Sequence, residues 1–235
     1  MMTPGRVVRA LMARLPRLRA QRYFALNGLD RRMEKYIDYD GGYFVELGAN
    51  DGVTQSNTLY FERFRGWRGV LVEPTPHNYF KCKANRSSRD LVHCAACVSF
   101  GYKEPFVRMI YSNLMTTTGD LNSDITDADS HAQVGAKFLP RQEEVVAFGA
   151  IARPLNDILL QADAPAIIDF LSLDVEGAEI EVLKGVDHER FKFRYILVEC
   201  RDLPAMQDYL QTQGYTLVEK ISEHDYVFAG AGVPE

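Results

Sequence analysis

Tyr43-Phe44-Val45-Glu46-Leu47-Gly48-Ala49-Asn50-Asp51-Gly52-Val53-Thr54-Gln55-Ser56-Asn57 is the stretch from which the rest of the chain takes its meaning. An apolar run passes through Glu46 and Leu47 and breaks into a turn bounded by two glycines. A buried parallel strand ending in a glycine-rich turn, with a helix behind it, is the ligand-holding corner of an open α/β sheet. Gly48 and Gly52 permit φ > 0 and leave room for a ligand against the backbone, while Thr54 and Ser56 are placed to cap a helix expected over 54–64.

The charges around that turn select the ligand. A dinucleotide corner reads G-x-G-x-x-G so that a pyrophosphate can lie on bare backbone. Here the spacing is E-x-G-x-N-D-G, and carboxylates at Glu46 and Asp51 would repel a pyrophosphate but suit a cationic or amino-bearing ligand. A second apolar strand, Gly69-Val70-Leu71-Val72, ends in Glu73-Pro74, an acid positioned for the two hydroxyls of a ribose. The two acids lie roughly 25 residues apart, one strand-helix-strand unit. S-adenosylmethionine, with its sulfonium and its ammonium, meets these requirements.

A third segment, Phe170 to Gly185, reads FLSLDVEGAEIEVLKG. With it the chain resembles the FkbM-type methyltransferases, whose glycine motif, acid-proline strand end and D-V-E-G-A-E segment stand here as VELGANDG, LVEP and LDVEGAEIEVLKG. The resemblance runs from Tyr43 to Glu199. It implies a class I, Rossmann-like α/β fold: a doubly wound, seven-stranded, mostly parallel sheet closed by a C-terminal antiparallel hairpin. It also implies an S-adenosylmethionine-dependent enzyme, usually one that methylates oxygen on a sugar, a glycan or a secondary metabolite.

On this reading Glu46 and the backbone of Gly48, Ala49, Asn50 and Asp51 hold the methionine end of the cofactor, Glu73 holds the ribose, Asp174 lies beneath the sulfonium or amino group, and Asn57 and Pro74 are further cofactor-binding positions. Glu176, Glu199 and His131 are the candidates to take the acceptor's proton. Asp174 and Glu199 end adjacent strands, so a divalent metal such as magnesium is an alternative to direct cofactor contact by Asp174 and pairing of Glu199 with Arg201. A nicotinamide dehydrogenase is disfavoured by the missing glycine fingerprint. A non-catalytic binding module on the same fold and a small-molecule N-methyltransferase stay open.

Composition narrows the remaining classes. The 235 residues are 46% hydrophobic and 25% charged, with a net charge of −5. One globular domain with a full core follows, and no basic field points to nucleic acid. Cys82, Cys94, Cys97 and Cys200 form no disulfide framework, and one C-x-x-C without a second reads as core thiols in a reducing cytoplasm.

Residues 1–40 differ from the methyltransferase domain expected over 41–235. Six arginines precede the first acid, Asp30, interleaved with leucines and valines at helical spacing. This basic amphipathic segment fits a helix docked on the domain or on a second subunit, a mobile arm, or a peripheral anchor to the inner membrane surface or a glycolipid. A further helix is expected over 23–39. Trp67, ahead of the second strand, reads as packing, and 91–99 reads as the third strand.

Beyond it the alternation fails over about 100–150, too long for a plain connection. Strands are expected over 104–111 and 144–151, with a polar loop or acceptor lid between them. Asp124, Asp127, Asp129 and His131 in that segment lack the glycine and closing glutamate of a calcium loop.

Overall fold

The computed structural model describes residues 22–232, so the readings placed on 1–21 lie outside it. Seven strands form the main sheet: β1 (Tyr43–Leu47), β2 (Arg68–Val72), β3 (Leu91–His93), β8 (Ile167–Leu173), β9 (Lys192–Glu199), β10 (Tyr215–Lys220) and β11 (Asp225–Gly230). Their spatial order is β10-β11-β9-β8-β1-β2-β3. Pairings from β9 to β3 are parallel, and β11 runs antiparallel to both β9 and β10. This is the class I methyltransferase fold, with the closing hairpin that the sequence led one to expect.

Strand alternation divides the core into two layers. Tyr43, Val45 and Leu47 face α5 (Leu155–Gln161), α6 (Glu179–Leu183) and α7 (Leu203–Thr212). Phe44 faces the other way, with Phe170 and Leu71, onto α1 (Leu29–Met33), α2 (Leu59–Arg65) and α3 (Pro76–Asn85). Trp67 is fully buried in that second layer and donates its indole N–H to the Tyr39 carbonyl at 2.8 Å. It packs, as expected.

Three local expectations are corrected. The helix expected over 23–39 shortens to α1, because Asn27 and Gly28 adopt left-handed φ of 53° and 66° and no α-helix runs through them. The first crossover helix begins at Leu59 rather than Thr54. Ahead of it Gln55 is left-handed (φ 60°), Asp51 accepts from Val53 N and Thr54 N, and Glu46 accepts from Asn57 N and Thr58 Oγ1. Finally, the strand expected over 91–99 splits. β3 ends at His93, and after Cys94-Ala95 the short β4 (Ala96–Cys97) pairs with β7 (Val146–Arg153) in a second sheet.

That second sheet, β4-β7-β5-β6, is the body of the 100–150 insertion. Both strands expected in it form: β5 (Phe106–Tyr111) pairs antiparallel with β7 and with β6 (Thr117–Thr118) on its other edge. The polar stretch between them is not a plain loop. It contains the helix α4 (Ala128–Gly135), whose N-cap Asp127 accepts from Ser130 N at 2.9 Å. Of the acids read as a rejected calcium loop, Asp127 and Asp129 start this helix, whereas Asp124 accepts from Arg201 N at 2.7 Å. Asp-x-x-Ser at its entry, with Asp129 in the first turn, was the available signal.

Candidate active site

The carboxyl ends of β1, β2, β8 and β9 open into a cleft of about 320 Å³, covered on one side by the insertion. Within it the sequence-predicted residues divide into two groups.

The first group sits under the turn after β1. Glu46 is 4% exposed, and its carboxylate accepts from Ser56 Oγ (3.0 Å), Asn57 N (2.8 Å) and Thr58 Oγ1 (2.6 Å). Arg86 reaches the same carboxylate at 3.1 Å. This arginine, wholly buried, also bonds Glu62, Gly52 O (3.3 Å), Ser56 Oγ (3.1 Å) and Thr58 Oγ1 (2.9 Å). Glu46 borders the cleft, but its charge is answered from within the protein. A third acid, Asp90, is pushed up to about 8, first by burial and then by Glu62, with Arg86 opposing from 4.0 Å. The sequence reading missed Arg86, because an arginine at the end of an amphipathic helix reads as a solvated charge.

Asp51 is a correction. It is not among the cleft-lining residues, and its carboxylate turns back to accept from Val53 N (2.8 Å) and Thr54 N (2.7 Å). It shapes the turn as an Asx motif. Gly48 lines the cleft and does a second job. At φ 77° a β-carbon there would stand 1.9 Å from the Asp174 carbonyl, so the glycine also lets two strand ends approach.

Ala49, Asn50, Asn57, Glu73 and Pro74 do line the cleft. Glu73 is buried and accepts from Asn50 N (2.8 Å) and Thr75 N (2.9 Å), one bond to each oxygen. Burial first of all raises its pKa. The Asn57 side chain donates to Ser172 Oγ at 3.0 Å, and its own Oδ1 is buried with no hydrogen-bond partner among the described residues.

The second group stands at the ends of β8 and β9. Asp174, Glu176 and Glu199 line the cleft together, joined by Asp225 at the start of β11. Burial and then the neighbouring Glu199 and Glu176 carboxylates raise the Asp174 pKa well above its ordinary value. Glu199 is pushed up to about 7, by burial first and then by Glu176 and Asp225, with Arg201 opposing. Arg201 lies 3.2 Å from Glu176, 3.5 Å from Glu199 and 3.7 Å from Asp124. Asp225 escaped the sequence reading because β11 is antiparallel, so that its first residue, opposite Glu199, reaches the rim where the other strands present their last.

His131 is corrected as a candidate base. It lies on α4 outside the cleft lining, and its Nε2 is 2.8 Å from Glu176. Glu176 is thereby shared between His131 and Arg201, in a left-handed conformation with φ 54°. The insertion is fastened to the same loop by Thr117 Oγ1 donating to Glu176 O (2.8 Å) and by Asp124 N donating to Gly177 O (3.0 Å). Beneath the loop the buried Glu179 accepts from Val175 N and Gly177 N, both at 3.0 Å.

The metal alternative lacks a ligand set. Among the described residues no three His, Cys, Asp or Glu side chains come together as metal ligands, and Glu199 already faces Arg201.

Residues 46–228 match the Methyltransferase FkbM domain, about three-quarters of the chain. The chain belongs to the FkbM methyltransferase family. It is 25% identical over 202 residues to methyltransferase sdnD of Sordaria araneosa, covering 77% of this chain and 76% of that protein. Among solved structures it is similar to the human methyltransferase 10 domain containing protein (14% identity, 97% and 96% of the two chains, TM-score 0.45). Precorrin-6y C5,15-methyltransferase of Geobacter metallireducens is a second such structure (12% identity, 89% and 93%, TM-score 0.43).

This member of the FkbM family is an S-adenosylmethionine-dependent methyltransferase, and its cleft fits that cofactor. Each Glu73 oxygen keeps accepting capacity toward the cleft after its one backbone bond, and the bare Asn57 Oδ1 is an acceptor suited to an ammonium group.

Proposed function

We infer that the protein methylates a hydroxyl oxygen, with Glu199 as the general base. The observation that carries this reading is Glu199 itself: it lines the cleft at the tip of β9, and its carboxyl is pushed up to about 7. A base near the working pH combines a deprotonated fraction with enough proton affinity to assist a poor nucleophile such as an alcohol. Glu176 is engaged by His131 and Arg201, and His131 stands outside the cleft, which leaves Glu199 ahead of the other two candidates.

When bound, S-adenosylmethionine supplies an electrophilic methyl group on a cationic sulfur. Glu73 would take the ribose hydroxyls and Asn57 Oδ1 the ammonium, leaving Asp174 to offset the positive charge. Glu199 accepts the hydroxyl proton of the acceptor and becomes neutral, while Arg201 stays beside the Glu176 side chain. The insertion serves as a lid over the acceptor, and much of the acceleration comes from holding acceptor and methyl group in line away from water.

The acceptor is a small molecule or glycan, a sugar or secondary metabolite bearing the hydroxyl, and nucleic acid has no part in it. All four cysteines are free thiols, which supports a cytoplasmic setting. Among the described residues no helix is long and apolar enough to cross a membrane.

The test is methyl transfer from isotope-labelled S-adenosylmethionine to a panel of hydroxylated sugars and natural products, comparing wild type with Glu199→Gln. Loss of a general base predicts a kcat lower by about 10²- to 10⁴-fold with unchanged affinity for S-adenosylhomocysteine. For wild type, kcat/KM rises with pH through about 7, the value to which the Glu199 carboxyl is pushed. A fully active Glu199→Gln would overturn the assignment.

A further inference from the structure

Ahead of the family domain, the chain between Phe24 and Leu29 does something that no motif assigns: it forms part of the cleft wall. Leu26 and Leu29 both line the cleft. Leu29 is 5% exposed and belongs to the core beneath, whereas Leu26 is 53% exposed. An aliphatic side chain held half in water at the mouth of a binding cleft gains nothing from burial in the folded protein alone.

The segment is held there by specific contacts. Asp30, fully buried, accepts from Phe24 N (2.6 Å) and Ala25 N (3.3 Å), and Ala25 forms a parallel bridge with Gln55 in the turn that follows β1. Asn27, at φ 53°, turns the chain immediately after Leu26. These contacts fix Leu26 at the edge of the cleft through buried and strained groups rather than through its own packing.

Its position within the cleft follows from its neighbours. One end of the segment meets Gln55 beside β1. At the other, on the same short helical stretch, Arg32 Nη1 donates to the Ile221 carbonyl (2.9 Å) in the turn between β10 and β11. Leu26 thus adjoins the β1 turn, and from there the segment runs toward the β9–β11 edge, where Glu199 and Asp225 stand, and away from the β2–β3 edge that Glu73 marks.

We propose that Leu26 is a specificity-determining residue that receives the apolar part of the acceptor, so that the preferred acceptor carries an aliphatic surface next to its reacting hydroxyl. This rests on the hydroxyl-methylating reading given above and adds the chemical class of the group beside the hydroxyl. A uniformly polar sugar face would leave Leu26 in water, and an aliphatic ring or chain would cover it.

The experiment uses the full chain saturated with S-adenosylhomocysteine and titrates it with 1-butanol, 1-hexanol and 1-octanol by calorimetry, for wild type, Leu26→Ser and Leu26→Met. Wild type is expected to bind with affinity rising up to about fourfold per added methylene, the value for full burial of a methylene group. Leu26→Ser should flatten that dependence and weaken 1-octanol about tenfold, and Leu26→Met should restore it. Because Leu26 is half exposed, both variants should melt within about 2 °C of wild type.

An unchanged series in Leu26→Ser, or no alkanol binding to wild type, overturns the proposal. So does a tenfold loss of S-adenosylhomocysteine affinity in Leu26→Ser, which would assign the wall to the cofactor. Failure of wild type to bind S-adenosylhomocysteine at all would instead remove the hydroxyl-methylating reading on which the proposal rests. The two failures are thus told apart by the cofactor titration alone.

Discussion

Two acidic clusters stand at the tips of neighbouring strands, and they differ in what balances them. Around Glu46 the balance is internal: Arg86 bonds Glu46 and Glu62, and burial beside Glu62 raises the pKa of the third acid, Asp90. Around Asp174 the balance is incomplete. Asp174, Glu176, Glu199 and Asp225 share the cleft with Arg201, and the pKa values of Asp174 and Glu199 are raised by burial and mutual repulsion. An acid at a strand end is therefore ambiguous by itself. Where a buried guanidinium answers it fully, it builds the turn, and where one half-exposed arginine serves several acids, capacity is left for a cation or a proton.

The sharpest way to break this contrast is to remove Arg86. Arg86→Ala leaves Glu46 and Glu62 buried without their cation and should destabilise the protein by about 3–5 kcal/mol in urea denaturation. Arg86→Met combined with Glu46→Gln and Glu62→Gln should recover most of that loss. If Arg86→Ala unfolds at the wild-type urea concentration, the internal balance described here is wrong.

Glu73→Ala probes the cofactor side of the cleft. It should weaken S-adenosylhomocysteine binding by about 1–3 kcal/mol in calorimetry through loss of a hydrogen-bonded carboxylate. An affinity equal to wild type would contradict the ribose assignment.

A pH series tests the second cluster from beneath. Burial first of all lifts the Glu179 carboxyl from its ordinary 4.5 to about 8. Between those values the folded protein keeps a proton that the unfolded chain has released, so this group's contribution to stability falls as pH rises through about 4.5–8 and is level above. Glu179→Gln should flatten the pH dependence of the unfolding free energy there by up to about 1.4 kcal/mol per pH unit, one proton's worth. Parallel curves for the two proteins would show that Glu179 is ionised throughout.

The smallest effect is expected at Asp51. Asp51→Ala removes the acceptor for Val53 N and Thr54 N and should cost about 1 kcal/mol of stability. S-adenosylhomocysteine affinity should stay within about twofold, since the carboxylate does not line the cleft. A larger loss would return Asp51 to the binding site.

Much of the fold was legible because local patterns carry it. The runs at 43–47, 68–72 and 167–173 are mostly apolar and mostly buried, as central parallel strands are, and the closing hairpin follows a glycine and a polar turn. Errors arose where a side chain took over a backbone bond. Asp51 and Glu46 delay α2, Asp30 accompanies the shortening of α1, and Asp127 starts a helix in a stretch read as loop. Periodicity does not record such bonds.

The sequence alone determined which residues gather at the sheet's carboxyl edge: strand polarity brings Glu46, Glu73, Asp174 and Glu199 to one rim once the order of strands and helices is known. Only the tertiary structure decided which of those acids were free. Arg86 reaches Glu46 from 40 positions away, Asp225 arrives on a reversed strand, and Leu26 comes from outside the family domain. The charge state and accessibility of a carboxylate depend on what lies within a few ångströms of it, and the chain brings those neighbours from distant positions that local pattern cannot register.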